Sequence, residues 1–293
     1  MKRFIKISLI ISAVLATFGA IFVIIGVSTG GIKTIKNDML NGNIGFNWTG
    51  NIILDAADVK GMSVYDGENI SADNVKEVSF NGEYGSFEIT FWDNEGYALE
   101  DVSKNTKIYY SLKDGVLKIT PVGKKNGFWR GTVEGKLYIP RNANLKKLDM
   151  NIGAGTIGCS NIDVEQLNVS IGAGDGSFDG IKAKKASFNI GAGSGDIKKT
   201  SFEECDFMVG MGDLSMNGTI LGDATVDCGM GNIDLKLTGR QTDYNYAVTV
   251  GAGDVIIGDK EFSGYKNRTE VDYNASKNMT VKCGMGDATI DFE

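Results

Sequence analysis

Apolar and polar residues alternate in a repeating register from residue 146 to the C-terminus. The landmark is a Gly-[Ala/Met]-Gly tripeptide, whose glycines are Gly153 and Gly155, Gly172 and Gly174, Gly191 and Gly193, Gly210 and Gly212, Gly229 and Gly231, Gly251 and Gly253, and Gly284 and Gly286. The first four intervals are 19 residues each, followed by 22 and 33. One residue before each tripeptide stand Ile152, Ile171, Ile190, Val209, Cys228, Val250 and Cys283. Three before stand Met150, Val169, Phe188, Phe207, Val226, Val248 and Val281. Apolar residues spaced by two make a strand with one buried face. Six after the first glycine come Cys159, Phe178, Ile197, Met216, Leu235, Ile257 and Ile290, which start a second inward face beyond a corner.

Each repeat thus reads as strand, Gly-x-Gly corner, strand and turn. Glycine suits the corner because it tolerates positive φ and close backbone approach. One coil cannot bury its own apolar face, so coils must stack. The pattern predicts an all-β protein, a parallel β-solenoid (β-helix) of about 19-residue coils. Only two prolines occur, as a continuous hydrogen-bonded ladder requires.

The residue after each tripeptide is Thr156, Asp175, Ser194, Asp213, Asn232, Asp254 or Asp287. In the regular part an acid is followed by a neutral hydroxyl or amide, an alternation that avoids stacking like charges one rung apart. These are turn-type residues; a dedicated calcium ladder would need more oxygens per ion than alternate acids supply. Cys159, Cys205, Cys228 and Cys283 all fall on inward positions and read as small core residues. Cys228 and Cys283 share a column but read as lying two rungs apart, about 10 Å and beyond disulfide reach. No spacing suits zinc, so no metal and no cofactor is expected.

Before the repeats, residues 106–112, 116–121 and 135–140 read as strands, with Asp114-Gly115 as a hairpin turn between the first two. Residues 75–145 are expected to form an N-terminal antiparallel β cap, with a degenerate first coil around Gly82 and Gly85. Residues 146–293 form the solenoid. The interval of 33 inserts residues 258–276, carrying Phe262, Tyr265, Arg268 and Tyr273. Insertions on a rigid scaffold are where binding residues collect, so these four form a candidate partner-binding loop; the plainer reading is a loop covering the last coil.

Residues 7–28 are 22 residues without a charge, long enough to span a bilayer as one transmembrane helix. Lys2, Arg3 and Lys6 precede this run, which predicts an N-terminus inside and the rest outside. The expected location is the cell membrane, single-pass, with residues 1–28 as signal anchor, 29–74 as stalk and the solenoid extracytoplasmic. A cleaved signal peptide is the rival, although its apolar core is ordinarily shorter.

Composition narrows the function. There is no His, which excludes Ser-His-Asp and Cys-His catalysis and imidazole metal ligands. Without Lys2, Arg3 and Lys6, 27 basic residues face 37 acidic ones, a net charge of −10. That argues against nucleic acid as a partner. Forty glycines are about twice the usual share, without collagen's period.

The segment LYIPRNANLKKLDMNIGAGTI (137–157) resembles the bacterial putative adhesin family, a domain of unknown function made of β-strand repeats. VSFNGEYGSFEITF (78–91) and VKCGMGDATIDF (281–292) resemble it too, so the likeness runs from Val75 to the C-terminus. The resemblance implies a membrane-anchored cell-surface member with no catalytic residues to carry over. The function expected is a non-enzymatic, adhesin-like binding or envelope-structural module, with the membrane and an unknown protein or cell-wall glycan as partners. Alternatives are an accessory or regulatory protein of an envelope-stress system, or a polysaccharide-active β-helix enzyme; adjacent Glu203 and Glu204 point to opposite faces of a strand and make no carboxylate pair.

Overall fold

The computed structural model describes residues 59–71, 75–123, 125–126, 129–130, 133–264 and 266–293. The stretch assigned to an anchor and most of the stalk lie outside them. No helix among the described residues is long and apolar enough to cross a membrane.

The strands are β1 (Ser63–Val64), β2 (Glu77–Trp92), β3 (Ala98–Asp101), β4 (Thr106–Lys113), β5 (Val116–Gly123), β6 (Lys125–Asn126), β7 (Trp129–Arg130), β8 (Glu134–Pro140), β9 (Lys147–Ser160) and β10 (Asp163–Asp179). They continue with β11 (Lys182–Val209), β12 (Asp213–Ile220), β13 (Ala224–Cys228), β14 (Asn232–Leu237), β15 (Tyr244–Val250), β16 (Asp254–Ile257), β17 (Lys260–Ser263), β18 (Lys266–Val271), β19 (Lys277–Cys283) and β20 (Asp287–Phe292). All but β6 and β7 join one sheet system.

The ladder is β-solenoid-like. β9, β10 and β11 stack in parallel with equivalent residues opposite, such as Val169 against both Met150 and Phe188. The inward residues predicted from the alternation are buried, including Leu148, Leu167, Val226 and Val281. Each buried aliphatic side chain contributes about 1.5–3 kcal/mol relative to exposure. An aromatic cluster fills the middle, with Phe178 edge-on to Phe188 at 5.2 Å and Phe207 stacked on Phe188 at 5.9 Å.

The corners are tight because backbones touch. A Cβ at Gly174 would lie 1.8 Å from the Gly155 carbonyl oxygen, and one at Gly231 would lie 1.7 Å from that of Gly212. Positive φ is needed at Gly174 (149°) but not at Gly231, so close approach is the requirement the corners share.

Coil order in space differs from chain order at both ends. β19 and β20, last in the chain, lie inside the ladder. β19 pairs in parallel with β13 on one side and β15 on the other, and β20 pairs with β14 and β16. The pair β15/β16 therefore forms the outermost rung. At the other end β2 is likewise inset: it pairs with β9 on one side and with β5 and β8 on the other, always in parallel. The sequence-based region 75–145 thus divides. β2, β5 and β8 are rungs, β2 being the degenerate coil expected around Gly82. β3, β4 and, from further upstream, β1 form the antiparallel cap, and β6 and β7 pair antiparallel with each other. The Asp114-Gly115 hairpin is as expected, with φ of 53° and 82°.

Candidate functional site

The inserted segment covers the outermost rung. β18 runs antiparallel along β15, and β17 runs antiparallel along β16, closing an edge that would otherwise offer unpaired N–H and C=O groups. Phe262 points inward and is buried. Tyr273 meets Tyr246 edge-on at 6.2 Å, and its hydroxyl accepts a hydrogen bond from Gln241 Nε2 at 3.3 Å. The return of the chain is pinned by Asn245, whose Oδ1 accepts from the backbone N–H of Tyr273 and of Ala275, each at 3.0 Å. Arg268 is exposed and pairs with Glu270, two residues on, at 3.0 Å. Tyr265 lies outside the described residues. Two of the four candidate loop residues thus serve the cover, and Arg268 lies at the surface in its pair with Glu270.

The polar column after the tripeptides forms rung-to-rung hydrogen bonds. Thr156 donates to Ser86 Oγ at 2.8 Å, Ser194 donates to Asp175 Oδ1 at 2.6 Å, and Asn232 Nδ2 donates to Asp213 Oδ1 at 2.7 Å. A neutral donor after each carboxylate keeps the column attractive. The inset coil breaks that alternation. Asp254 and Asp287 face each other on adjacent rungs, and the Asp254 N–H donates to Asp287 Oδ1 at 3.2 Å. Among the described residues no group of three or more acids or cysteines is placed to hold a metal ion.

All four cysteines are buried and unbridged. Cys228 and Cys283 are not two rungs apart; they are partners on neighbouring rungs. Their Sγ atoms donate to the carbonyls of Gly231 and Gly286 at 2.9 and 2.8 Å. Burial pushes the Cys283 thiol up to about 12, and it raises Cys159, Cys205 and Cys228 as well. Thiols so held are inert packing groups, not nucleophiles.

A groove with the shape of a binding site runs across the stacked N-terminal segments of β10 and β11. It encloses about 640 Å³ and crosses several successive coils, lined by Arg141, Asp163, Glu165, Lys182, Lys184 and Glu203 over an apolar floor including Leu145 and Val164. Lys184 bridges to Glu165 on the previous rung at 3.4 Å. The sequence hid this groove because its residues come from separate coils and meet only when β10 stacks on β11.

A family model described as Toastrack DUF4097 matches residues 75–291. The chain belongs to that family. The Toastrack domain is also similar to several solved structures. One is described as a putative lipid binding protein from Parabacteroides distasonis, 18% identical, covering 78% of this chain and 96% of that one, with a TM-score of 0.46. Another is a putative adhesin from Bacteroides fragilis, 14% identical, covering 78% and 95%, with a TM-score of 0.41. A third is a putative cell adhesion protein from Clostridium sporogenes, 12% identical, covering 79% and 100%, with a TM-score of 0.31. No curated protein matches. The Toastrack assignment agrees with the resemblance seen at residues 137–157.

Proposed function

We propose that this Toastrack protein is a membrane-anchored, extracytoplasmic, non-enzymatic binding module of adhesin type, whose groove across the stacked coils receives an extended polar chain of the cell envelope. The groove carries the reading. It crosses several coils, so it suits a linear ligand such as a glycan strand better than a compact metabolite. Its three basic and three acidic side chains alternate in source coil, which favours a partner with both hydroxyl and charged groups. The ladder beneath is held by continuous backbone pairing, so the lining is preorganised. The uncharged run at 7–28 supplies the anchor in this reading.

The test is protease shaving of intact, wall-stripped cells, with mass spectrometry of the released peptides. Release of peptides from residues 75–293 without lysis is expected. Protection until lysis would overturn the extracytoplasmic reading. Wall glycan fragments are then expected to bind the full-length protein, and Lys184→Glu with Arg141→Glu to weaken that binding; equal binding by the double variant would remove the groove from the account.

A further inference from the structure

The residue between the two glycines of each corner sorts differently in space than in sequence. Along the chain it reads Ala154, Ala173, Ala192, Met211, Met230, Ala252, Met285. Because the last coil lies inside the ladder, the folded order places Met285 directly after Met230 and leaves Ala252 outermost. The backbone records this order. The N–H of Met230 donates to Gly210 at 2.7 Å, that of Met285 to Gly229 at 2.7 Å, and that of Ala252 to Gly284 at 2.6 Å. Three methionines therefore occupy three successive rungs at one corner.

They face solvent. Met211, Met230 and Met285 are 63%, 41% and 53% exposed, whereas Met150, Met216 and Met279 are buried in the core. Each is flanked by glycines, so no side chain on its own rung covers it. Rungs are about 4.8 Å apart, so the outer two Cα atoms lie about 10 Å from each other. Methionine has three rotatable side-chain bonds, enough for the outer sulfurs to lean toward that of Met230.

We propose that Met211, Met230 and Met285 form a three-thioether surface site for a soft monovalent cation, Cu(I) or its analogue Ag(I). Thioether sulfur selects such ions over Zn²⁺, Ca²⁺ or Mg²⁺, which prefer nitrogen, thiolate or oxygen donors. The chain has no His and all four thiols are buried; Met208, also exposed, stands on β11 outside the corner column and is the competing thioether among the described residues. Two residues beyond two of these methionines stand Asp213 and Asp287, neither with a Lys or Arg partner among the described residues, so the same corner carries negative charge that favours a cation.

The test uses the full-length protein labelled with ¹³C at the methionine methyl groups and titrated with silver nitrate in chloride-free buffer. One equivalent is expected to bind, moving the three signals of Met211, Met230 and Met285 together while the other seven of the ten stay put. Met230→Leu keeps the apolar volume and removes the sulfur; it is expected to weaken binding by about tenfold or more with an unchanged circular dichroism spectrum. Anaerobic competition with bicinchoninate for Cu(I) is expected to give the same ranking. Shifts spread over all methionines without saturation, uptake by the cysteines, or equal affinity in Met230→Leu would each overturn the proposal. The last result would mark the column as an apolar contact surface.

Discussion

Cys228 and Cys283 are partners on adjacent parallel strands, although the whole of β14 to β18 separates them in the chain. Their Cα atoms are therefore not kept apart by the ladder, and burial rather than distance keeps them inert. A water-soluble aromatic disulfide reagent is expected to find essentially no thiol in the folded protein and four after denaturation. Prompt native-state reaction would mean that the inner strands open readily.

The inset coil supports rungs on both sides. Deleting residues 277–293 removes the partners of β13, β14, β15 and β16 at once. The expected outcome is loss of amide hydrogen-exchange protection across 224–257, far upstream of the cut. Loss restricted to fraying near the new terminus would contradict the rung order.

Corner glycines differ sharply from strand glycines. Gly231→Ala places a methyl group 1.7 Å from a carbonyl oxygen, so neighbouring rungs must shift, at a cost of about 3 kcal/mol. At Gly158 the nearest atoms to an added Cβ are 3.9 Å away. Gly158→Ala is expected to leave stability unchanged or raise it by about 0.5 kcal/mol, through the reduced entropy of the unfolded chain. Urea titration of the two variants checks both.

Stability should fall in alkali. Burial pushes Tyr97 and Tyr244 from 10.0 up to about 12, and Cys283 from 9.0 up to about 12. Each group binds its proton more tightly when folded, so its contribution is complete below the unfolded value and lost as pH rises through the folded one. The thermal midpoint is expected to drop progressively between pH 9 and pH 12. A midpoint that holds steady across that window would mean these side chains are solvated.

Strand faces, corners and the inward cysteines were legible in the sequence because each depends on residues two to six positions apart. Coil order was not. Val248 and Val281 carry the same alternation, and nothing in either strand says which of them meets Val226. The interval of 33 signalled an insertion but not that the strand after it slides back inside. The stacked Asp254 and Asp287, the partnered Cys228 and Cys283 and the methionine column all escaped for that one reason. The groove escaped because only the stacking of β10 on β11 brings its residues together. The inward Phe262 was ambiguous because an aromatic residue in an insertion suits a cover as well as a contact surface.

The rung order is the point on which these conclusions turn, and methyl NOE spectroscopy tests it directly. The account predicts Val226–Val281 and Val281–Val248 contacts and no direct Val226–Val248 contact. A Val226–Val248 cross-peak with none between Val226 and Val281 would mean that coils stack in chain order, and the account would fail.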